Sequence, residues 1–194
     1  MSSPTPSTRD RILAATLALV EGADGPIAMS AIAKAAGLSR QALYLTFADK
    51  ADLFVAMVRY VDELRGIPGE VAKIRDAPTG VDALLAMIEL QAGFNPGLKP
   101  LADAFELLRR QDPAAEQAWQ DRLQARLEGA RGVVARLVSE GRLRPGLDPE
   151  VAADLVWTLT SLRTWDDLVA RQGWTADAYR ERMTDLVMTA IVGR

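Results

Sequence analysis

Apolar residues in this chain recur three and four positions apart from one end to the other, and nowhere do they alternate over a run bounded by hairpin turns. That spacing is the period of an α-helix face and not of a strand. Near the start Ile12, Ala15, Thr16, Leu19 and Val20 share one face. Near the end Tyr179, Met183, Leu186, Val187, Ala190 and Ile191 do the same. The rows between them extend the pattern, which predicts an all-α protein of about nine helices without a fixed-period repeat.

Capping chemistry divides the rows. Ser7-Thr8-Arg9-Asp10 has the Ser/Thr-x-x-acid spacing in which a hydroxyl caps a free N–H and the acid faces the positive helix end. Gly22 closes that helix and Asp24-Gly25-Pro26 reads as a turn. A short helix over about 29–36 stops at Gly37, Ser39 caps the next, and Asp49 with Asp52 caps a fourth that runs to Gly66. Residues 66–78 (GIPGEVAKIRDAP) read as the main internal break. Thr79 and Asp82 head a helix over 80–92, GFNPGLKP (93–100) reads as a loop, and a further helix covers about 100–111. Asp112-Pro113 opens a long helix to about Ser139, closed by Gly141. Asp148-Pro149-Glu150 opens one to about Arg171, and Thr175 caps the last. Residues 1–7 are expected to be a disordered tail.

Composition narrows the chemistry. The chain has 194 residues, 49% hydrophobic and 25% charged, which is the balance of a globular protein. No apolar run reaches the ~18 residues of a membrane helix. MSSPTPSTRD lacks the basic-then-apolar layout of a secretory signal, so a cytoplasmic protein is expected. There is no cysteine and no histidine. Disulfides, thiolate nucleophiles, Cys-ligated metals, Ser–His–Asp triads and Glu-x-x-His di-iron sites are therefore excluded. No catalytic residue, metal site or cofactor is expected. The net charge of −3 disfavours nucleic acid, but residues 1–50 hold five Lys/Arg against four Asp/Glu, and phosphate affinity follows the local face.

One stretch carries more than packing. In AIAKAAGLSRQALYLTFADK (31–50), Ile32, Ala33 and Ala36 give a first short helix a small apolar face, and Leu43 and Phe47 give one to a second. Alanines permit close approach, and Gly37 can take the positive φ of a sharp turn. This is helix-turn-helix geometry, in which the second helix presents its N-terminal residues to the DNA major groove. Arg40 and Gln41 occupy those positions, where Arg suits guanine and Gln adenine. Tyr44 follows one turn later, Ser30, Ser39 and Thr46 are small donors for phosphates, and Lys50 opens the next helix. The same residues also fit a plain glycine-joined helix pair, with Arg40 and Gln41 merely solvated, Lys50 a helix-end charge and Tyr44 at a core edge.

The stretch resembles the N-terminal DNA-binding domain of the TetR family of bacterial transcriptional regulators. The likeness covers roughly residues 8–56: an amphipathic helix ending in Gly22, then IA-x-x-AG-[LV]-S, then LY-x-x-F-x-x-K-x-x-L. It implies that Arg40, Gln41 and Tyr44 lie on a recognition helix and that Lys50 contacts phosphate. Two positions depart from the pattern: Ala28 stands where a Thr usually caps the second helix, and Thr46 replaces a common His or Tyr.

The resemblance further implies a helix-turn-helix domain over 8–50 and a larger helical domain over 51–194 that binds a small-molecule effector and forms a homodimer. In this reading the effector is largely apolar or aromatic, with Met57, Tyr60, Met87, Phe94, Phe105, Trp119 and Trp157 as candidate pocket residues. Val151, Leu155, Leu159, Leu162, Tyr179, Leu186 and Val187 are candidates for the two-fold interface, and the fourth helix (about 50–65) is the expected coupling element. The implied function is a ligand-responsive repressor on a palindromic operator. Two alternatives stay open: a helical ligand-binding or interaction protein with a non-functional head, and a carboxylate-dependent enzyme using Asp103 and Glu106.

Overall fold

Helix caps and buried apolar rows account for nearly all of the secondary structure. The computed structural model describes residues 6–23 and 25–193. The first five residues of the expected tail, and Asp24 of the expected turn, lie outside them. Among the described residues there are ten α-helices and one π-helical segment: α1 Thr8–Glu21, α2 Met29–Ala35, α3 Arg40–Thr46, α4 Lys50–Leu64, α5 Ile67–Asp76, α6 Gly80–Arg109, α7 Pro113–Ser139, α8 Pro149–Leu159, α9 Leu162–Trp165, the π segment Asp166–Arg171, and α10 Ala176–Ile191. No helix of the described residues is long and apolar enough to cross a membrane.

The caps fall where the spacing places them. Ser7 accepts from the Asp10 amide at 3.1 Å and its own amide donates to Asp10 Oδ2 at 3.2 Å, closing a capping box. Ser39, Asp49, Asp148 and Thr175 cap α3, α4, α8 and α10.

Three expectations change. Residues 66–78 are helical rather than irregular: Gly66 turns the chain with φ 72, and α5 follows with its proline in the first turn, where no N–H is missed, although the chain does change unit at Gly66. GFNPGLKP is not a loop but the middle of the 30-residue α6. Each of the two prolines inside this helix, Pro96 and Pro100, costs about 3 kcal/mol. Burial of Ala92, Phe94, Leu98, Leu101, Ala102 and Phe105 along the same helix outweighs both. Finally, the helix expected over 149–171 breaks at Thr160-Ser161. The Thr160 hydroxyl bonds back to the Val156 carbonyl at 2.8 Å, and Ser161 caps a new start by accepting from the Thr164 amide. These hydroxyls offer the backbone an alternative to continued helix.

The chain divides into two compact units, one running through Arg65 and adding Pro100–Leu123, the other comprising Gly66–Lys99 and the chain from Gln124 onward. The boundary expected near residue 50 is thus drawn differently: α4 belongs with the head, because its Leu53, Phe54, Met57 and Val61 are buried. α6 and α7 each contribute residues to both units.

In the first unit α1 packs on α2 and α4, and α2 on α3. Ile12, Ile32, Leu43, Leu53 and Phe54 lose all exposure there. Phe105 meets Phe54 edge-on at 6.1 Å and stacks on Trp119 at 5.9 Å. One buried carboxylate ties three elements together. Asp112 Oδ1 accepts from the Ala114 amide at 3.1 Å, capping α7, and Oδ2 accepts from Lys50 Nζ at 2.7 Å. Lys50 also donates to the Ile27 carbonyl at 3.2 Å, in the stretch before α2.

The second unit is built on Leu84 and Ile88 of α6, Val134 and Leu137 of α7, Ala152 and Val156 of α8, and Val187 and Ile191 of α10. A smaller cluster joins Ala92, Trp165, Tyr179 and Met183. α6 starts at Gly80, whose amide donates to both Glu140 oxygens at 2.9 and 2.8 Å. A methyl group on Gly80 would lie 2.9 Å from the Leu137 nitrogen and 3.2 Å from the Arg136 carbonyl carbon.

Two predictions follow from this packing. Gly80→Ala forces helix backbones apart and lowers stability by about 1–3 kcal/mol. Gly132→Ala, on α7 with no atom near the new methyl group, raises it by about 0.5–1 kcal/mol; thermal melts of the two variants should move in opposite directions. Lys50→Met strands the Asp112 carboxylate, whose side chain is 2% exposed, and costs about 3 kcal/mol in a urea melt. Asp112→Asn removes the charge but keeps a good N-cap, so its loss should be clearly smaller.

Candidate functional site

The turn between α2 and α3 is set by local geometry. Gly37 has φ 68. Its amide bonds the Lys34 carbonyl at 3.1 Å and the Leu38 amide bonds Ala33 at 2.9 Å, which is a Schellman closure of α2. Arg11 Nη2 donates to the Ala36 carbonyl at 2.8 Å, so α1 holds the same helix end. α2 begins at Ala28 without a side-chain cap, in keeping with the missing Thr.

Beyond the turn, Ser39 Oγ accepts from the Ala42 amide at 3.1 Å and starts α3. Leu43 and Phe47 point inward, and the guanidinium of Arg9 lies over the Phe47 ring at 4.6 Å. With that face fixed, Arg40, Gln41, Tyr44 and Leu45 are all left exposed. They form two adjacent rows at i, i+4 spacing, Arg40 with Tyr44 and Gln41 with Leu45. Leu45 is 83% exposed. The sequence reading missed it, because a leucine at helical spacing reads as core. Its place four residues after Gln41 is the signal that could have found it.

The expected backbone contacts separate. Ser30 is exposed on α2. Ser39 is exposed and uses only its acceptor for the cap, so its O–H remains for a phosphate oxygen. Thr46 is a correction: it is half-buried, and its single O–H already donates to the Ala42 carbonyl at 3.1 Å. A phosphate needs a donor, so Thr46 leaves the set. Lys50 is engaged inside the head, yet its ammonium has three donors, of which Asp112 and Ile27 take two, and the side chain keeps 27% exposure.

The remaining candidates are divided between the two units. Met57, Tyr60, Phe105 and Trp119 belong to the first unit, and Met87, Phe94 and Trp157 to the second. Met57 and Phe105 are fully buried, and Met87 is in the second unit's main core, with Trp157 packed against it. Of the expected interface residues, Tyr179 and Val187 are buried within the chain at 2% and 0%, so no partner can reach them. The helix face that carries them is already occupied by core packing. Val151 and Leu186 are exposed, while Leu155, Leu159 and Leu162 are half-buried. Glu106 bonds Arg109 at 2.7 Å and Arg110 at 3.1 Å. The Arg109 hydrogen bond holds its carboxyl below the usual range, unlike a general base.

Comparison with known proteins agrees with this geometry. Residues 12–57 match the family described as bacterial regulatory proteins, tetR family. The nucleoid occlusion factor SlmA of Aliivibrio fischeri is 28% identical over 163 residues, covering 80% of this chain and 82% of its own. Among solved structures, NalD, the secondary repressor of the MexAB-OprM multidrug efflux pump in Pseudomonas aeruginosa, superposes with a TM-score of 0.66 at 22% identity, over 95% and 96% of the two chains. The transcriptional regulator FadR of Bacillus subtilis, in complex with stearoyl-CoA, gives 0.68 at 21% identity, over 93% and 98%. Residues 12–57 thus resemble the tetR family of bacterial regulatory proteins, and the chain shares its fold with NalD and FadR.

Proposed function

We propose that this protein is a cytoplasmic transcriptional repressor, not an enzyme, that binds a two-fold operator as a homodimer and releases it when a small-molecule effector binds the second unit. The observation that carries this reading is the exposed double row on α3. Four outward side chains there sit on a helix placed by a turn, a cap and two buried anchors. Arg40 and Gln41 are the base readers in the major groove, for guanine and adenine respectively. Leu45 beside Gln41 offers an apolar contact for a thymine methyl group, and Tyr44 stands at the groove wall. Ser30, Ser39 and the third donor of Lys50 hold phosphates.

A helix of seven residues reads few base pairs. Two copies related by a two-fold axis read two half-sites and supply the missing selectivity. The exposed Val151 and Leu186, with the half-buried Leu155, Leu159 and Leu162 beside them, are the apolar side chains available for that pairing. Regulation is a population shift: the effector binds better to the conformation whose heads do not match the operator. α6 and α7, which contribute residues to both units, are the covalent route for that coupling. The repressor NalD and the ligand-bound FadR support this reading through shared fold. A second reading draws on the likeness to nucleoid occlusion factors over four-fifths of the chain: the same exposed α3 would serve nucleoid occlusion instead of control of one gene.

Selection of bound sequences from random DNA should return one palindrome; a consensus without two-fold symmetry would sink the dimer reading. On that operator Gln41→Ala should cost ~1–3 kcal/mol and blur one base position in each half-site. Leu45→Ala should blur a neighbouring position, with a thymine-to-uracil exchange there producing the same loss as the mutation. Lys50→Met, assayed well below its melting temperature, should reduce the slope of log K against log salt by about one. Asp112→Asn should leave that slope unchanged, since it alters stability without touching a phosphate donor.

A further inference from the structure

Among the described residues, three buried polar atoms of the second unit have no hydrogen-bond partner: Asn95 Nδ2, Trp165 Nε1 and Tyr179 Oη. Their residues are 1%, 8% and 2% exposed. A buried donor without an acceptor forfeits the hydrogen bond it had in water, and folded proteins keep few such groups.

These three are not scattered. Trp165 and Tyr179 lie in one apolar cluster with Ala92 and Met183. Asn95 follows Ala92 by one turn of α6, and one turn further Lys99 pairs with Asp166, the neighbour of Trp165, at 3.3 Å. Asn95 is therefore bracketed, on a single helix face, by two contacts to the same few residues. The π segment begins directly after Trp165 and packs against α10, which carries Tyr179. Such π turns concentrate at functional sites. Leu162, Leu168 and Val169 complete an apolar surround. The charge of Arg126 also reaches the Tyr179 hydroxyl, which burial pushes up to about 12, so the phenol stays protonated at any physiological pH.

The chemistry of the three groups selects a ligand. An indole N–H and an amide NH₂ can only donate, and a protonated phenol can donate as well. Nothing on the three atoms requires a donor in return. Resting on the regulatory reading above, we propose that this cluster is the effector site, and that its ligand is a compact apolar molecule with an acceptor oxygen, a ketone or carboxylate, held by Asn95, Trp165 and Tyr179. This differs from a purely apolar pocket in one respect: the skeleton provides burial, and the oxygen decides binding.

Isothermal calorimetry on the full chain tests this with three probes sharing one skeleton: benzophenone, diphenylacetate and diphenylmethane. The ketone or the carboxylate should bind at least about tenfold more tightly than the hydrocarbon, since each satisfied donor is worth roughly three- to tenfold. Tyr179→Phe and Trp165→Phe should each weaken the acceptor-bearing probe by that factor and leave the hydrocarbon unchanged. Without ligand, Tyr179→Phe should melt no lower than the native chain, because it deletes only an unpartnered hydroxyl; a lower melting point would show that the hydroxyl is already satisfied. Equal binding of all three probes, no binding of either oxygen-bearing probe, or indifference to both substitutions overturns the proposal. Operator release is measured separately. Probe binding with these signatures but without release upholds the site and removes effector control from the regulatory reading. Release by the probes at unchanged concentration in the Tyr179→Phe/Trp165→Phe double variant overturns the site and leaves that control intact.

Discussion

The carboxylate of Asp112 is the constraint on which the head depends. Its two oxygens do separate things: one satisfies an amide at the start of α7, and the other fixes the ammonium that opens α4. Because the side chain is 2% exposed, neither bond is optional, and an unpaired charge there would cost more than a surface pair ever contributes. Lys50 in turn reaches the Ile27 carbonyl, so the stretch leading into α2 is held by the same pair. The orientation of α3 follows, since α3 is placed by α2 through the Gly37 turn and by its own buried Leu43 and Phe47.

The exposed face of α3 results from subtraction. Once the inward face of α3 is fixed, whatever remains points out, and here that is one cation, one amide, one phenol and one isobutyl group. Under the proposed function they meet a guanine edge, an adenine edge, the groove wall and a thymine methyl group in turn. Ser39 and Thr46 show how a single bond decides a role. Both are hydroxyls beside the same helix, but Ser39 accepts its local hydrogen bond and Thr46 donates one. Only the first keeps a proton for phosphate.

The second unit keeps its polar exceptions together. Its main core is aliphatic, with Leu, Ile, Val and Ala from four helices. Its unpartnered donors instead gather near the smaller cluster, where the helix after α8 breaks at Thr160-Ser161, restarts, and widens into a π turn. Irregular backbone and unsatisfied side chains in one place mark the part of the unit least explained by packing alone.

The all-α class, the first four helices, most of the caps and the Gly37 turn were determined by the sequence itself, because each is a local matter: a hydroxyl or carboxylate three residues from an amide, a glycine where φ must be positive, an apolar residue every third or fourth position. The place of Arg40, Gln41 and Tyr44 on the outward face of α3 was legible for the same reason. What only the tertiary structure decided depends on distant partners. Pro96 and Pro100 read as a loop until burial of the surrounding α6 residues outweighs the missing amides. Tyr179 and Val187 read as an interface until the core claims them. Leu45 drew no reading until the fold left it uncovered, and Lys50 read as a free helix-end charge until Asp112, 62 residues away, takes one of its donors. Spacing reports which face a side chain shares; the fold alone reports what that face meets.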